Sequence, residues 1–275
     1  MELIEKSRIL EVAESEYLVD SFAAAPPETA AQLGMTIRRV GGGVASIMKA
    51  DPTGFFWSRV IGLGLSQPVT DELVSELLNI YSNESAESIL FQISPVANPR
   101  GWSEILQRHG FKNGRGWVKL IRDLSAPPSV TTDLAIRPLD VSDAMNYGSV
   151  YWQGFGLPDP RFINWMAAHV GRASWTMFGA FDEEALVGVA TLHHQGDVVC
   201  LSGAATLASH RNRGVQSALM AARLKEGASL GAKWASTETG AETETDPNPS
   251  LHNMRRMGFE ELYVRENWSL RFNSP

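Results

Sequence analysis

Apolar positions in the C-terminal half of the chain switch repeatedly between two periods. Residues 134–137 alternate as a short strand that stops at Pro138, and residues 140–152 place Val141, Ala144, Met145 and Gly148 on one helical face. Residues 160–170 predict a second short helix. Residues 175–181 and 186–193 predict a hairpin turning at Asp182-Glu183-Glu184, and residues 198–206 a third strand. Val215, Leu219, Ala222 and Leu224 then recur near the helical period. A strand at 233–237, a helix at 250–257 and a final strand at 261–272 complete an α/β layered order.

The N-terminal half repeats the latter part of this order. Residues 55–63 predict a strand, and residues 70–81 an amphipathic helix with Leu73, Leu77, Leu78 and Tyr81 on one stripe and Thr70 as its N-cap. A strand at 88–94, a helix at 102–109 and a strand at 117–121 follow. Both halves close a helix with the same dipeptide, Gly110-Phe111 and Gly258-Phe259, where a left-handed glycine suits a C-cap. Residues 11–34 predict two short helices broken at Pro26-Pro27, and residues 38–48 a glycine-interrupted hairpin. An internal duplication is the reading that follows. The polar, proline-paired stretch Ser125-Ala126-Pro127-Pro128-Ser129-Val130-Thr131-Thr132 disfavours a helix, so the expected division is 1–125, a linker at 126–133, and 134–275.

Composition narrows the chemistry. Across 275 residues, 44% are hydrophobic and 20% charged, which permits a large core and excludes global disorder. A net charge of −7 argues against a dedicated nucleic-acid binder. The single cysteine, Cys200, removes a disulfide framework and any multi-cysteine metal site. The uncharged runs at 144–158 and 198–210 are shorter than a membrane span, and the first residues are charged. A cytoplasmic protein with no metal is the expectation.

The stretch Thr206-Leu207-Ala208-Ser209-His210-Arg211-Asn212-Arg213-Gly214-Val215-Gln216-Ser217 carries the most chemistry. A strand enters a short turn, then a glycine, then a helix. From Leu207 to Lys225 there are four Lys/Arg and no acid. Unpaired N–H groups and the helix dipole favour an anion there, and Gly214 admits a phosphate close to the backbone. No Gly-Lys-Ser/Thr follows, so this is not a Walker loop, and the glycines of a dinucleotide fingerprint are missing.

Arg211-x-x-Gly214-x-Gln216 resembles motif A of the GNAT superfamily of N-acetyltransferases, Gln/Arg-x-x-Gly-x-Gly/Ala, with Gln216 where a small residue is usual. Asn248-Pro249-Ser250, ending at Gly258-Phe259, resembles the family's motif B. The resemblance covers about residues 134–272 and implies two GNAT-like domains, each a mixed, mostly antiparallel sheet flanked by helices. It implies acetyl-CoA as co-substrate. Its pantetheine arm would lie in a gap beside the strand before motif A, on the backbone of Thr206 and Leu207. Its pyrophosphate would lie on the amides of Arg211, Asn212, Arg213, Gly214, Val215, Gln216 and Ser217, and Asn248 would reach the pantetheine.

The family's usual proton-transfer residues are absent: Met254 stands where a tyrosine acid is common and Cys200 where a glutamate base is found in one branch. His193, His194, Glu238, Tyr263 and Cys200 are substitutes, each with a simpler packing or surface reading; direct attack with solvent relaying protons is the alternative. The acids Glu238, Glu242, Glu244 and Asp246 suit either a loop that attracts a cationic amine or a solvated connection. Tyr147, Tyr151, Trp152, Phe155 and Trp165 stand where the family places the acceptor wall. The N-terminal half has no Arg-x-x-Gly, and Pro68 removes a donor at the matching place, 65–70, so it is expected not to bind acetyl-CoA. The function expected is acetyl transfer to a primary amine on a small molecule. The rivals are an acyl-CoA-binding module without turnover and a hydrolase on Cys200 and His194.

Overall fold

The computed structural model describes residues 2–49, 51–97 and 101–272. In chain order the first elements are α1 (Leu3–Ala24), α2 (Pro27–Leu33), β1 (Met35–Val40), β2 (Gly43–Met48), β3 (Arg59–Ile61), α3 (Asp71–Asn83), β4 (Ser88–Ile93), α4 (Trp102–Arg108), β5 (Lys112–Asn113) and β6 (Trp117–Asp123). There follow β7 (Ala135–Pro138), α5 (Ala144–Phe155), α6 (Arg161–Ala167), β8 (Trp175–Asp182), β9 (Ala185–Gln195), β10 (Val198–Cys200) and β11 (Ala204–Thr206). The chain ends with α7 (Val215–Ser229), β12 (Trp234–Gly240), α8 (Pro249–Arg256) and β13 (Glu260–Arg271). The fold is the expected α/β arrangement of mostly antiparallel sheet flanked by helices.

Two compact units divide the chain, and they do not follow the 1–125 and 134–275 halves. One comprises Met1–Ala23, Ala30–Lys119 and Leu262–Pro275; the other Ala24–Thr29 and Leu120–Glu261. Each unit therefore contains a strand segment from the opposite side of the linker. Most of β13 pairs with β4, from Glu266↔Ile93 to Arg271↔Ser88. Residues after Leu120 join the other unit, where the Leu124 amide donates to the Lys233 carbonyl. A proline-rich linker marks a change of direction in the chain, whereas unit membership is set by strand pairing between residues far apart in sequence.

In the second unit the order β7-β8-β9-β10 is antiparallel, and β10 pairs in parallel with β12. Alternation along β9 sends Gly188 against Val215 of α7 and Thr191 against Tyr147 of α5, so helices cover both faces. Leu134, Phe178, Ala180, Ala190, Val215 and Leu219 form the core beneath α7.

The first unit repeats the plan. An antiparallel hairpin, β1–β2, adjoins β3, and β3 pairs in parallel with β4 across α3. Both α4 and α8 end in the same way. Gly110 and Gly258 have φ of +83° and +78°, and the amides of Phe111 and Phe259 reach back to the carbonyls of Leu106 and Met254. No counterpart of β7 occurs in this unit among the described residues.

Two expected elements changed for identifiable reasons. The predicted strand at 55–63 shrinks to Arg59–Ile61 because the Asp51 carboxylate accepts the amides of Thr53, Trp57 and Ser58 and holds that stretch as turns. The two helices expected over 11–34 are present, with the break at Pro26-Pro27, but the first begins at Leu3 and runs for 22 residues. Its apolar stripe is interrupted in sequence by Glu11 and Glu14, yet both are buried, at 1% and 5% exposure. Glu11 takes Arg265 at 3.1 Å and the Tyr263 hydroxyl at 2.6 Å. Glu14 takes Arg265 at 2.9 Å, Arg59 at 3.4 Å and Lys119. Burial opposes the Glu14 charge, but Arg265, Lys119 and Arg59 outweigh it and hold the carboxyl well below its usual range.

Candidate functional site

The third predicted strand, 198–206, is interrupted. β10 runs beside β12 with Val198↔Trp234, Val199↔Ala235 and Cys200↔Ser236. The Leu201 amide still donates to the Ser236 carbonyl, and Thr237 Oγ1 to the Leu201 carbonyl. Beyond that point the chain bulges at Gly203, where φ is +67°, and among the described residues β11 pairs with β9 alone. A gap therefore opens between β11 and β12.

Hydrogen-bond alternation decides which backbone groups face the gap. The Leu207 amide donates to the Val187 carbonyl and the Thr191 amide to the Gly203 carbonyl. Residues 203, 205 and 207 thus face β9, while the N–H and C=O groups of Ala204 and Thr206 face away from it. Thr206 faces the gap with its backbone N–H and C=O. Leu207 does not: its amide is held by Val187 and its carbonyl accepts the His210 amide. The other outward-facing residue of β11 is Ala204, because the alternation has a period of two.

After β11 the chain makes a short turn and enters α7. Asn212 and Gly214 have φ of +65° and +74°, with Arg213 between them. Among the described residues, the N–H groups from Asn212 to Ser217 have no acceptor; the first helical bond runs from the Ala218 amide to the Gly214 carbonyl. Left-handed residues alternating in such a turn gather successive N–H groups into an anion-binding concavity at the positive end of the helix. A side chain at 214 would project into open space, with no atom within 4 Å of its first carbon.

The two loop arginines differ. Arg213 is held at 2.6 Å by both Asp182 and Asp133, and these contacts raise its pKa further. It braces the loop. His210 joins the same brace through Asp182 at 3.1 Å and Ser209 at 2.8 Å. Among the described residues Arg211 makes only a long contact, 3.5 Å, to the Gly154 carbonyl. The bracing acids Asp182 and Asp133 carry no motif in the sequence; only the fold brings them to residue 213.

Gln216, the departure from motif A, turns away from the loop. Its side chain donates to Ser250 Oγ at 3.3 Å and accepts from Asn253 of α8. The amide of residue 216 is left in the cradle. Asn248, expected at the pantetheine, caps α8: its Oδ1 accepts the amides of Ser250 and Leu251. Its Nδ2 donates to Thr239 Oγ1 and the Gly240 carbonyl at 2.9 and 2.6 Å. All of its side-chain capacity is engaged within the protein. It fixes the end of β12 and the start of α8.

A family model described as the acetyltransferase (GNAT) family matches residues 144–259. The matched stretch runs from α5 through the cradle to the end of α8. The fold of the whole chain is shared with a GCN5-related N-acetyltransferase from Kribbella flavida, at TM-score 0.66 and 15% identity, covering 95% of each chain. A tandem GNAT protein from the clavulanic acid biosynthesis pathway gives TM-score 0.61 at 15% identity, covering 91% of this chain and 86% of that one. A GCN5-related N-acetyltransferase from Sphaerobacter thermophilus gives 0.62 at 15%, covering 84% and 76%. No curated protein matches the sequence.

Within the GNAT domain the expected proton-transfer candidates fare unequally. Met254 is buried in α8 and carries no proton. Cys200 is buried opposite His193, not His194, so the pair for a hydrolase is not assembled. His193 is 1% exposed and packs on Trp175 with ring centroids 4.6 Å apart. His194 Nε2 sits 2.8 Å from the Gly196 carbonyl. Glu238 lies half-buried on β12. Tyr263 falls in the other unit, where its hydroxyl donates to Glu11; burial, and then the Glu11 charge, push its pKa up. The acidic loop is partly neutralised from within. Glu242 pairs with Arg255 at 2.6 Å and His252 at 2.7 Å, and the Arg255 contact lowers its pKa.

A polar cavity of about 590 Å³ lies between β7, α5 and the β8–β9 turn, lined by Arg137, Asp143, Asn146, Ser149, Glu183 and Glu184 among others. It contains none of the cradle residues. Among the described residues no group of His, Cys, Asp and Glu is arranged to hold a metal, and no helix is long and apolar enough to cross a membrane.

Proposed function

We propose that the GNAT domain transfers an acetyl group from acetyl-CoA to a primary amine on a small molecule. The run of unclaimed N–H groups from Asn212 to Ser217, at the mouth of the gap between β11 and β12, carries this reading. The pyrophosphate sits on those amides with Arg211 beside it, and the pantetheine arm hydrogen-bonds the outward backbone of Thr206 and Ala204. Arg213 and Gln216 support the cradle from behind through Asp182, Asp133 and α8. The neutral amine attacks the thioester carbonyl, and the coenzyme leaves as a thiol. The first unit is a degenerate copy of the same fold that does not bind acetyl-CoA.

Thermal unfolding with and without acetyl-CoA tests the cofactor. A ligand at about 100 times its Kd stabilises by about 2.7 kcal/mol. The expected outcome is a rise in Tm for wild type that Gly214→Glu removes. Thiol release from acetyl-CoA across a panel of primary amines tests turnover. Buried Met254 and Cys200 favour a second reading, an acyl-CoA-binding module without turnover. A Tm shift with no thiol release from any amine would select it.

A further inference from the structure

We propose that Tyr151 is the catalytic acid of the GNAT domain, with the buried Arg223 positioned to favour the anions that form beside it. The inference rests on the acetyltransferase reading and supplies the proton donor that Met254 cannot be.

The gap between β11 and β12 closes where the Leu201 amide meets the Ser236 carbonyl. An arm that enters at the cradle and follows β11 therefore ends beside residues 201–203. α5 lies directly over that end. A first side-chain carbon at Gly203 would stand 2.8 Å from Tyr151 Cε2 and 3.0 Å from its hydroxyl. One turn further, a carbon at Gly154 would stand 2.7 Å from Ala205 Cβ. The glycine at 203 is thus required for two reasons, its φ of +67° and the phenol above it. Tyr151 is 6% exposed and stacks between Tyr147 and Phe155, at 6.1 and 4.6 Å.

The second observation comes from α7. Arg223 was one of the basic residues that marked the cradle in sequence, but it is 2% exposed. Its Nη1 donates to the Thr191 carbonyl at 3.0 Å and its Nε to the Leu219 carbonyl at 3.3 Å. Among the described residues no carboxylate pairs with it. Thr191 Oγ1 in turn shares a 2.6 Å hydrogen bond with Tyr147. A guanidinium, two tyrosines and a threonine are therefore gathered around the bulge. Burial pushes the Arg223 pKa down to about 10, so the group still carries its charge at neutral pH. An uncompensated buried cation favours an anion nearby, whether thiolate or phenolate.

The step balances. The amine nitrogen bonds to the thioester carbon, and the carbon–sulfur bond breaks with its electron pair on sulfur. Tyr151 Oη gives its proton to that sulfur. The attacking nitrogen loses one proton as the amide forms, and that proton returns through solvent to the phenolate.

The test is steady-state thiol release by Tyr151→Phe, full-length chain, with the best amine of the panel. The expected result is a fall in kcat of about 10²-fold with KM for acetyl-CoA unchanged. The Tm and its rise with acetyl-CoA persist, because only a hydroxyl is removed. A solvent deuterium isotope effect on kcat present in wild type disappears. Tyr147→Phe, which keeps Tyr151, loses less. Wild-type kcat in Tyr151→Phe would overturn the assignment while leaving the acetyltransferase reading intact. Loss of the acetyl-CoA-induced Tm rise along with activity would also overturn it, by making Tyr151 a packing residue. A wild-type chain that releases no thiol with any amine would overturn both.

Discussion

The starts of α7 and α3 each follow a strand of their own unit, and they are finished in opposite ways. At α7 the loop carries left-handed Asn212 and Gly214, leaves its amides open and keeps Arg211 at the edge. At α3 the Thr70 side chain accepts the Leu73 amide, and Asp71 and Glu72 fill the first turn. Pro68 offers no amide. A capped helix start with two acids is locally satisfied and repels phosphate; an uncapped one is locally unsatisfied and invites it. What differs is whether the helix completes its own hydrogen bonds.

The sharpest break in the comparison is to separate the halves. A fragment of residues 134–275 lacks the segment after Leu120 that belongs to its unit, and carries β13 without β4. It should aggregate or remain unfolded, as judged by circular dichroism and gel filtration, because unpaired strand edges are exposed. A soluble, cooperatively melting fragment would show that the strand exchange is dispensable.

Next in size is the ion cluster of the first unit. Glu14→Ala leaves Arg265, Lys119 and Arg59 without that carboxylate and should cost about 3–5 kcal/mol in denaturant unfolding. The Glu14 pKa is depressed in the folded state. The unfolded chain therefore binds its proton more readily, and the contribution is full above the unfolded value, about 4.3. It is lost as pH falls through the lower folded value. Stability of wild type and Glu14→Ala should accordingly converge in strong acid. Parallel curves down to pH 2 would remove Glu14 from the acid response.

Gly214→Ala should weaken acetyl-CoA through the φ of +74°, with a strain of about 1–2 kcal/mol for a left-handed non-glycine residue. Its mirror image is Thr70→Ala, which should cost about 1 kcal/mol of stability and leave the acetyl-CoA response untouched. Loss of that response in Thr70→Ala would mean that the first unit is not a silent copy. Asn248→Ala, the corresponding cap on α8, should cost about 1–2 kcal/mol and lower acetyl-CoA affinity only through the end of β12. An affinity loss as large as that of Gly214→Glu, without loss of stability, would return Asn248 to the pantetheine.

The sequence alone determined the local features of this protein. Periodicity located the helices and hairpins, because side-chain direction repeats with each element's own geometry. Gly110 and Gly258 marked their helix ends, and Arg211-x-x-Gly214 marked the cradle, because a left-handed turn needs residues that tolerate it. What involved distant partners was decided only in three dimensions. The burial of Glu11 and Glu14 depends on Arg265, some 250 residues away, so nothing in the local sequence marks these acids as buried. Arg211, Arg213 and Arg223 are indistinguishable as basic residues along the chain. The fold turns one to solvent, ties one to Asp182 and Asp133, and buries the third against Thr191. Gln216 reads as an obstruction until α8 supplies Ser250 and Asn253 to draw its side chain aside. A charge or an amide has no fixed role in a sequence. Its role is set by which partner reaches it first, and that is a property of strand pairing and helix packing.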